Sequence, residues 1–150
     1  MSGQATRSWA LAAALCVVVV ALDQGAKALV EGQMTLGQQV GVLGPIELTL
    51  SYNSGVAFGI ASGGGGLLIA FTLVSLAFVV TLFARDPTRP GMWVAVGLLV
   101  GGALGNLIDR VVSGEVTDYI DILSWPAFNL ADAAITVGIA ILALVYVRDE

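Results

Sequence analysis

Four stretches of the chain consist mainly of apolar residues, and each is about 20 residues long. They cover about residues 9–30, 65–84, 91–108 and 129–147. A helix needs roughly 20 apolar residues to cross the ~30 Å hydrocarbon layer of a bilayer. The pattern therefore predicts four transmembrane helices, with both termini on the same side of the membrane.

The segment between the first two predicted helices has a different pattern. Apolar and polar residues alternate over about residues 38–60, with interruptions by Gly and Pro, which favours two or three short strands. The glycine-rich "ASGGGG" at 61–66 then favours a flexible hinge. The predicted fold class is an all-α membrane protein, with four transmembrane helices and a small extracytoplasmic β-cradle, in a single domain over residues 1–150.

The composition agrees with an integral membrane protein. Hydrophobic residues make up 57% of the chain and charged residues 11%, whereas soluble domains have about 25% charged residues. The chain has no histidine and one cysteine, Cys16, which excludes an intramolecular disulfide, a His/Cys metal site and any hydrolase with a histidine base. The net charge of −5 argues against nucleic-acid binding. We expect neither a metal nor another cofactor.

The basic residues predict the orientation. One side of the predicted bundle carries four arginines: Arg7, Arg85, Arg89 and Arg148. The other side carries Lys27 and Arg110 together with most of the acidic residues. By the positive-inside rule, the first side and both termini are cytoplasmic, and the connectors 31–64 and 110–128 face outward.

A cleavable signal peptide is the alternative interpretation of the first apolar segment. The segment continues through "DQGAKALV" and does not reach a small-residue cleavage site in a polar stretch. We therefore favour a membrane-spanning helix here.

The fourth apolar segment, "FNLADAAITVGIAILALVYV", carries one carboxylate, Asp132, near its start. A charge inside a bilayer costs roughly 2.5 to 3.5 kcal/mol on insertion scales. Asp118 precedes it in the outward connector, which can double back and bring the two side chains together. Two carboxylates in a partly dry site share a proton, so that one acts as a general base and the other as a general acid. This is aspartic-protease chemistry.

These polar residues also have purely structural interpretations. Asn129 can cap the fourth helix, with Asp132 in its first turn favouring the positive helix end.

The other charged residues near the helix ends have similar interpretations. Asp109 can pair with the adjacent Arg110, Lys27 can extend its ammonium group to the interface, and Asp23 can form an i,i+4 pair with Lys27.

Read together, four motifs resemble the lipoprotein signal peptidase family, also called signal peptidase II. They are "DQGAK" at 23–27, "YNSGVAFG" at 52–59, "GGALGNLIDRVVSGEVTDYID" at 101–121 and "FNLADAAITVG" at 128–138. The resemblance spans nearly the whole chain. Departures from the family pattern occur at Ala26, at Val56 and in "VTDYID", and none of them removes a carboxylate.

The resemblance implies a membrane aspartyl protease in the bacterial inner membrane, with cytoplasmic termini and an active site on the outer face. It implies that Asp118 and Asp132 are the catalytic pair. Seven further residues match polar positions of the family motifs and are expected to support the site or bind substrate: Asp23, Lys27, Asn53, Asn106, Asp109, Arg110 and Asn129.

The resemblance also implies individual roles for four of these residues. Asn53 would hold the substrate backbone, and Asn106 and Asn129 would orient the pair. Arg110 would meet the substrate backbone or a lipid headgroup.

The implied substrate is a prolipoprotein whose lipobox cysteine already carries a diacylglyceryl group, and cleavage occurs just before that cysteine. The acyl chains would hold the scissile bond at the membrane surface, where the paired acids are expected. Membrane lipid is a further partner, globomycin-type cyclic peptides are expected inhibitors, and we expect a monomer.

Three other functions are compatible with parts of the sequence. A small transporter or proton pathway would use intramembrane carboxylates as relays and would distribute them across the bilayer. An assembly factor would use the small residues of "GLLVGGALG" for helix packing. A Ser/Lys protease would have to use Lys27, the only lysine.

Overall fold

The computed structural model describes residues 3–55, 64–123 and 125–147. In chain order these residues form α1 (Gly3–Gln33), β1 (Gln39–Leu43), β2 (Ile46–Asn53), α2 (Gly64–Arg85), α3 (Met92–Val112), β3 (Val116–Ile122) and α4 (Leu130–Val147). The four helices in this part of the chain are all long and apolar enough to cross a membrane. The predicted fold class, four transmembrane helices with a small sheet, is confirmed.

Two helices extend beyond their apolar segments. α1 starts before residue 9 and ends after residue 30, and α3 continues past Ile108 to Val112. Asp109 therefore lies on a buried helical face, and Arg110 belongs to α3 and not to the outward connector. Apolar patterning misses such extensions because the added turns carry charged residues, such as Arg7, Glu31 and Asp109.

The predicted hinge at 61–66 is described only in part. Residues 61–63 lie outside the described residues, as do residues 56–60 at the end of the predicted platform. Residues 64–66 form the first turn of α2 and not a hinge.

α3 is the central helix of the bundle and packs against α1, α2 and α4. Its glycines allow the close approach. A Cβ added to Gly101 would lie 2.8 Å from Val19 Cβ on α1. On α4, a Cβ added to Gly138 would lie 2.8 Å from Leu99 Cγ on α3. Small residues at such crossings let helix backbones pack directly in lipid, so α1, α3 and α4 form a tight unit.

At the end of the bundle near the α2–α3 connection, the core is apolar. Ala12, Phe83, Met92 and Val96 form a buried cluster. The ring of Trp9 lies 4.5 Å from that of Phe83, between centroids. This end of the bundle contributes packing, whereas the polar side chains gather at the opposite end.

The three strands form one antiparallel sheet in the order β1-β2-β3. Two strands come from the predicted platform, but β3 comes from the connector between α3 and α4. Its sequence does not alternate cleanly because Thr117 and Asp118 are buried along with their apolar neighbours. The pairing of β2 with β3 places Ser51 opposite Asp118, so the sheet delivers an acidic residue to the helix bundle.

The connector after β3 folds back onto that strand. The carbonyl oxygen of Phe128 accepts hydrogen bonds from the backbone N–H groups of Tyr119 and Ile120, at 3.0 and 2.8 Å. The backbone N–H of Phe128 donates to the oxygen of Ile120 at 2.9 Å. The start of α4 therefore lies directly beside β3, as the sequence predicted for a connector that doubles back.

We predict that Gly138→Ala lowers the free energy of unfolding by roughly 1 to 3 kcal/mol, because the added methyl group must displace Leu99 in a packed interface. Unfolding by SDS titration in mixed micelles measures this change.

Gly32→Ala on α1 is the matched control, since its added Cβ meets nothing within 4 Å. It should leave stability unchanged or raise it by up to about 1 kcal/mol. Equal stability of both variants would contradict the close α3–α4 packing.

Candidate active site

Asn129, directly before α4, contacts both candidate catalytic carboxylates. Its Nδ2 donates a hydrogen bond to Asp118 Oδ1 at 2.7 Å. Its Oδ1 accepts the backbone N–H of Asp132 at 2.9 Å, and its own N–H donates to Asp132 Oδ2 at 3.3 Å. The structural interpretation of Asn129 as a helix cap is therefore confirmed, and the same side chain links Asp132 to Asp118.

Asn106, on α3, holds Asp132 from the other side. Its Nδ2 donates to Asp132 Oδ1 at 2.7 Å. Its Oδ1 accepts two hydrogen bonds, from Lys27 Nζ at 3.1 Å and from Asn129 Nδ2 at 3.0 Å. Because two donors meet Oδ1, the amide has one orientation, in which its NH₂ group faces the carboxylate.

Asn53, at the end of β2, contacts the second carboxylate. Its Nδ2 donates to Asp118 Oδ2 at 3.2 Å, and its Oδ1 accepts the N–H of Gly55 at 2.9 Å. The hydroxyl of Ser51 donates to the backbone oxygen of Asp118 at 3.3 Å. Both carboxylate oxygens of Asp118 thus have an amide donor, one from the sheet and one from the start of α4. The sequence predicted a contact between Asn53 and the substrate backbone, and in this structure its amide binds Asp118.

Burial makes Asp118 a group that can carry a proton near neutral pH. The residue is 2% exposed, and its desolvation raises the pKa of the carboxyl to about 6. The hydrogen bond from Asn53 lowers this pKa, the negative charge of Asp132 raises it, and the hydrogen bond from Asn129 lowers it. Desolvation is the largest of these effects. Asp118 therefore fits the protonated member of a carboxyl pair.

A buried ion triad lies behind the pair. Lys27 Nζ is 2.7 Å from Asp23 Oδ2 and 2.6 Å from Asp109 Oδ2. The predicted i,i+4 pair of Asp23 and Lys27 is confirmed. Lys27 is 3% exposed, so the prediction that it extends to the interface is wrong.

The predicted Asp109–Arg110 ion pair is also wrong. Adjacent helical residues point roughly 100° apart. Asp109 faces Lys27 on α1, whereas the guanidinium of Arg110 donates to the backbone oxygen of Asn106 at 3.3 Å. Arg110 is thereby turned toward a groove between the helices.

The triad is connected to α4 at two points. Asp23 Oδ1 accepts the backbone N–H of Ala131 in the first turn of α4, at 3.0 Å. Lys27 binds Asn106, which in turn binds Asp132. The charged residues of α1 therefore position the start of α4 and the side chain of Asp132.

Besides Ser51, three residues of this network were not selected from the sequence: Gln24, Thr117 and Glu31. Gln24 Nε2 donates to Asp109 Oδ1 at 2.8 Å and to Gly105 O at 3.2 Å. The backbone oxygen of Thr117 accepts from Asn129 Nδ2 at 3.2 Å, and its hydroxyl donates to Glu31. Gln24 and Thr117 each lie next to an aspartate that was selected from the sequence, so their position in the chain could have identified them. The contact of Thr117 with Glu31 has no local signal because the residues are far apart in sequence.

The polar network is confined to one end of the bundle. Over the described ranges, the buried charged side chains are Asp23, Lys27, Asp109 and Asp118. All of them lie near the sheet, whereas a proton relay would need partners along the depth of the membrane. In the same residues, no group of three or more Asp, Glu, Cys or His side chains is arranged to hold a metal ion. The arrangement favours one localised reaction site.

A groove leads from the pair into the bundle. It lies between α2, α3 and α4 and has a volume of about 630 Å³. Asp132, Asn106 and Arg110 line it together with Thr72 and Ser75. The remaining lining residues are apolar: Phe71, Leu76, Val79, Leu99, Ala103, Ile135, Ile139 and Leu142. The groove is therefore mainly apolar, with polar groups beside Asp132.

Residues 15–148 match the family model described as signal peptidase (SPase) II. A lipoprotein signal peptidase of Halothermothrix orenii is 38% identical over 135 residues, which cover 89% of this chain and 93% of that protein. A lipoprotein signal peptidase of Caulobacter vibrioides is 41% identical over an alignment of 150 positions that covers 93% of this chain and 88% of that protein.

Two solved structures have the same fold. A bacterial membrane enzyme solved by the in meso method at 1.9 Å resolution superposes with a TM-score of 0.87 and 34% identity, covering 93% of this chain and 94% of that one. A second, solved by the same method at 2.3 Å, gives a TM-score of 0.84 and 35% identity over 92% of this chain and 88% of that one.

We predict that Lys27→Met lowers the free energy of unfolding by about 3 to 5 kcal/mol, because it leaves two carboxylates buried without a counter-charge. SDS titration of the purified protein measures the change.

The triple variant Asp23→Asn, Lys27→Met, Asp109→Asn is the control, since it removes all three charges and keeps the acceptor for Ala131. It should recover most of the lost stability. Wild-type stability of Lys27→Met alone would show that the triad does not hold the bundle together.

Proposed function

The chain belongs to the signal peptidase II family and is a multi-pass membrane protease that processes lipoprotein precursors, and we propose that it is an aspartyl endopeptidase whose catalytic pair is Asp118 and Asp132. It removes the signal peptide from diacylglyceryl-modified prolipoproteins by cleaving before the lipidated cysteine. The contact of Asn129 with both carboxylates is the observation that carries this proposal.

In the proposed mechanism, Asp118 holds the proton and Asp132 is the base. Asp132 removes a proton from a water molecule as its oxygen attacks the scissile carbonyl carbon. Asp118 donates its proton to the carbonyl oxygen, which gives a tetrahedral diol. Collapse of the diol breaks the C–N bond as one diol hydroxyl returns its proton to Asp118, and the leaving nitrogen takes the proton from Asp132. The burial of Asp118 and the position of Asp132 on the groove support these roles.

Of the three asparagines that contact the pair, Asn106 and Asn129 are positioning residues. Asn106 and Asn129 each donate to a carboxylate oxygen, and each amide is oriented by a second partner. Donors whose orientation is set before the reaction need no rearrangement as charge moves between the two acids. The ion triad supports this arrangement through Lys27.

The groove between α2, α3 and α4 is the proposed site for the signal peptide. Its apolar length suits the hydrophobic part of a signal peptide, and its polar end lies at Asp132. Arg110 and Asn106 line that end and can bind backbone groups on either side of the scissile bond. α2 packs mainly against α3, so the α2–α4 side of the groove is where a substrate within the membrane would enter.

The proposed location is the bacterial inner membrane, with the site on the outer face and both termini in the cytoplasm. Arg7, Arg85 and Arg89 lie at the bundle end opposite the sheet, as the positive-inside rule requires for this orientation. Arg148, which belongs to the same prediction, lies outside the described residues. We propose a monomer that contacts membrane lipid and is inhibited by globomycin-type cyclic peptides occupying the groove.

We predict that Asp118→Asn and Asp132→Asn each lower kcat at least ~10³-fold, because neither variant keeps one proton donor and one proton acceptor. A gel assay with a purified lipidated precursor measures cleavage, and a thermal melt in detergent confirms folding.

Asp121→Asn is the matched control on β3. Asp121 lies an odd number of residues from Asp118, so its side chain points to the opposite face of the strand. It should cleave at a rate close to that of the wild type. If Asp118→Asn or Asp132→Asn also cleaved at a rate close to that of the wild type, the assignment of the catalytic pair would be wrong.

We predict that activity falls as pH rises through about 6, because the pKa of Asp118 is raised to that value and its protonated form is the active one. Asn53 stabilises the ionised form by a hydrogen bond. Asn53→Ala should therefore raise the pKa of Asp118 further. The alkaline limb of the plot of kcat/KM against pH should then move to higher pH.

Ser51→Ala is the control for this shift, since Ser51 binds the backbone oxygen of Asp118 and not its carboxyl group. Its pH profile should match that of the wild type. If the alkaline limb of the kcat/KM profile of Asn53→Ala lies at the wild-type pH or at a lower pH, the role of Asp118 as the proton donor is contradicted.

A further inference from the structure

Asp132 lines a second cleft in addition to the groove described above. This cleft has a volume of about 370 Å³ and is lined by Trp125, Phe128, Asp132, Ala133, Thr136 and Val137. It lies between the connector that precedes α4 and the outward face of that helix. A substrate atom beside Asp132 thus has two different routes away from the site.

The two routes differ in the polar groups that they offer. The groove presents Asn106 and Arg110 beside Asp132, which suits a peptide backbone. In the second cleft the hydroxyl of Thr136 already donates to the backbone oxygen of Asp132 at 2.8 Å. Apart from Asp132 and Thr136, the lining residues of the second cleft are Trp125, Phe128, Ala133 and Val137. The second cleft therefore offers fewer polar side chains than the groove and suits hydrocarbon better than a peptide backbone.

The second cleft continues along the outer rim of the bundle. Trp125 and Phe128 also line a neighbouring cleft of about 520 Å³, together with Ile122 and Leu123. Trp125 and Leu123 are 71% and 77% exposed, so this apolar path opens outward. Phe128 is held in place by its backbone hydrogen bonds to β3. Phe128 thus links the wall of the cleft to β3, the strand that carries Asp118.

A diacylglyceryl-modified precursor has two apolar parts that leave the scissile bond in different directions. The signal peptide precedes the bond, and the acyl chains hang from the cysteine that follows it. With the groove between α2, α3 and α4 assigned to the signal peptide, the acyl chains need a separate surface. We propose that the second cleft and its continuation past Trp125 bind the acyl chains of the substrate, while the groove binds the signal peptide. This inference rests on the proposed function.

A pair of synthetic precursors tests the assignment. They share one peptide sequence, and their cysteine carries either a dipalmitoylglyceryl or a dibutyrylglyceryl group. The wild type should prefer the long-chain precursor in kcat/KM. Trp125→Ala removes a wall of the cleft, and Val137→Trp narrows it. Each should reduce this preference about 10-fold, within the range for hydrophobic pockets.

Phe78→Ala is the matched control. Phe78 is an aromatic residue of α2 that is 61% exposed and lines neither cleft. Its chain-length preference should equal that of the wild type. An unchanged preference in both Trp125→Ala and Val137→Trp would overturn the acyl site and leave the proposed function intact. Failure of the wild type to cleave either precursor would instead contradict the proposed function.

Cross-linking provides a second measurement that does not depend on turnover. A precursor with a photoreactive group in its acyl chain is bound to the Asp118→Asn variant and irradiated. Labelling should fall on the segment from Trp125 to Val137. Labelling of α2 in its place, or equal labelling by a free photoreactive phospholipid at the same concentration, would show that bulk lipid and not the substrate occupies the cleft.

Discussion

The arrangement of the site depends on the side-chain amide of Asn129. One amide group binds Asp118 through its NH₂ and the backbone N–H of Asp132 through its oxygen. Because the two carboxylates come from a strand and a helix, no local geometry would keep them together. The amide does so, and it also starts α4. Helix capping and alignment of the acids are therefore one interaction. The carboxylate of Asp132 is tolerated at the edge of an apolar helix because it accepts hydrogen bonds from the amide of Asn106 and the backbone N–H of Asn129.

The rest of the fold supports this contact from three directions. The sheet brings Asp118 to the bundle and adds the amide of Asn53. The buried triad centred on Lys27 orients Asn106 and binds the backbone of Ala131. Close packing of α3 against α1 and α4 sets the distances between these groups. Buried charges are costly without partners, and each buried charge in the described ranges either has a counter-charge or is hydrogen-bonded by an amide.

The sequence predicted the parts of this structure that depend on local patterns. Apolar runs located the four helices, and the spacing of Asp23 and Lys27 predicted their ion pair. Prediction from the sequence failed for contacts between residues that are distant along the chain. Asp109 pairs with Lys27 on α1 and not with its neighbour Arg110, since helix packing decides which face is buried. β3 was missed as a strand because it is covered on both faces and shows no clean alternation.

A structure with an uncleavable substrate analogue tests the central claim most directly. The analogue is a lipidated lipobox peptide in which a hydroxyethylene group replaces the scissile amide. The account predicts that its hydroxyl lies within hydrogen-bonding distance of carboxyl oxygens from both Asp118 and Asp132. A hydroxyl that contacts only one of them, or neither, would contradict an aspartyl mechanism at this site.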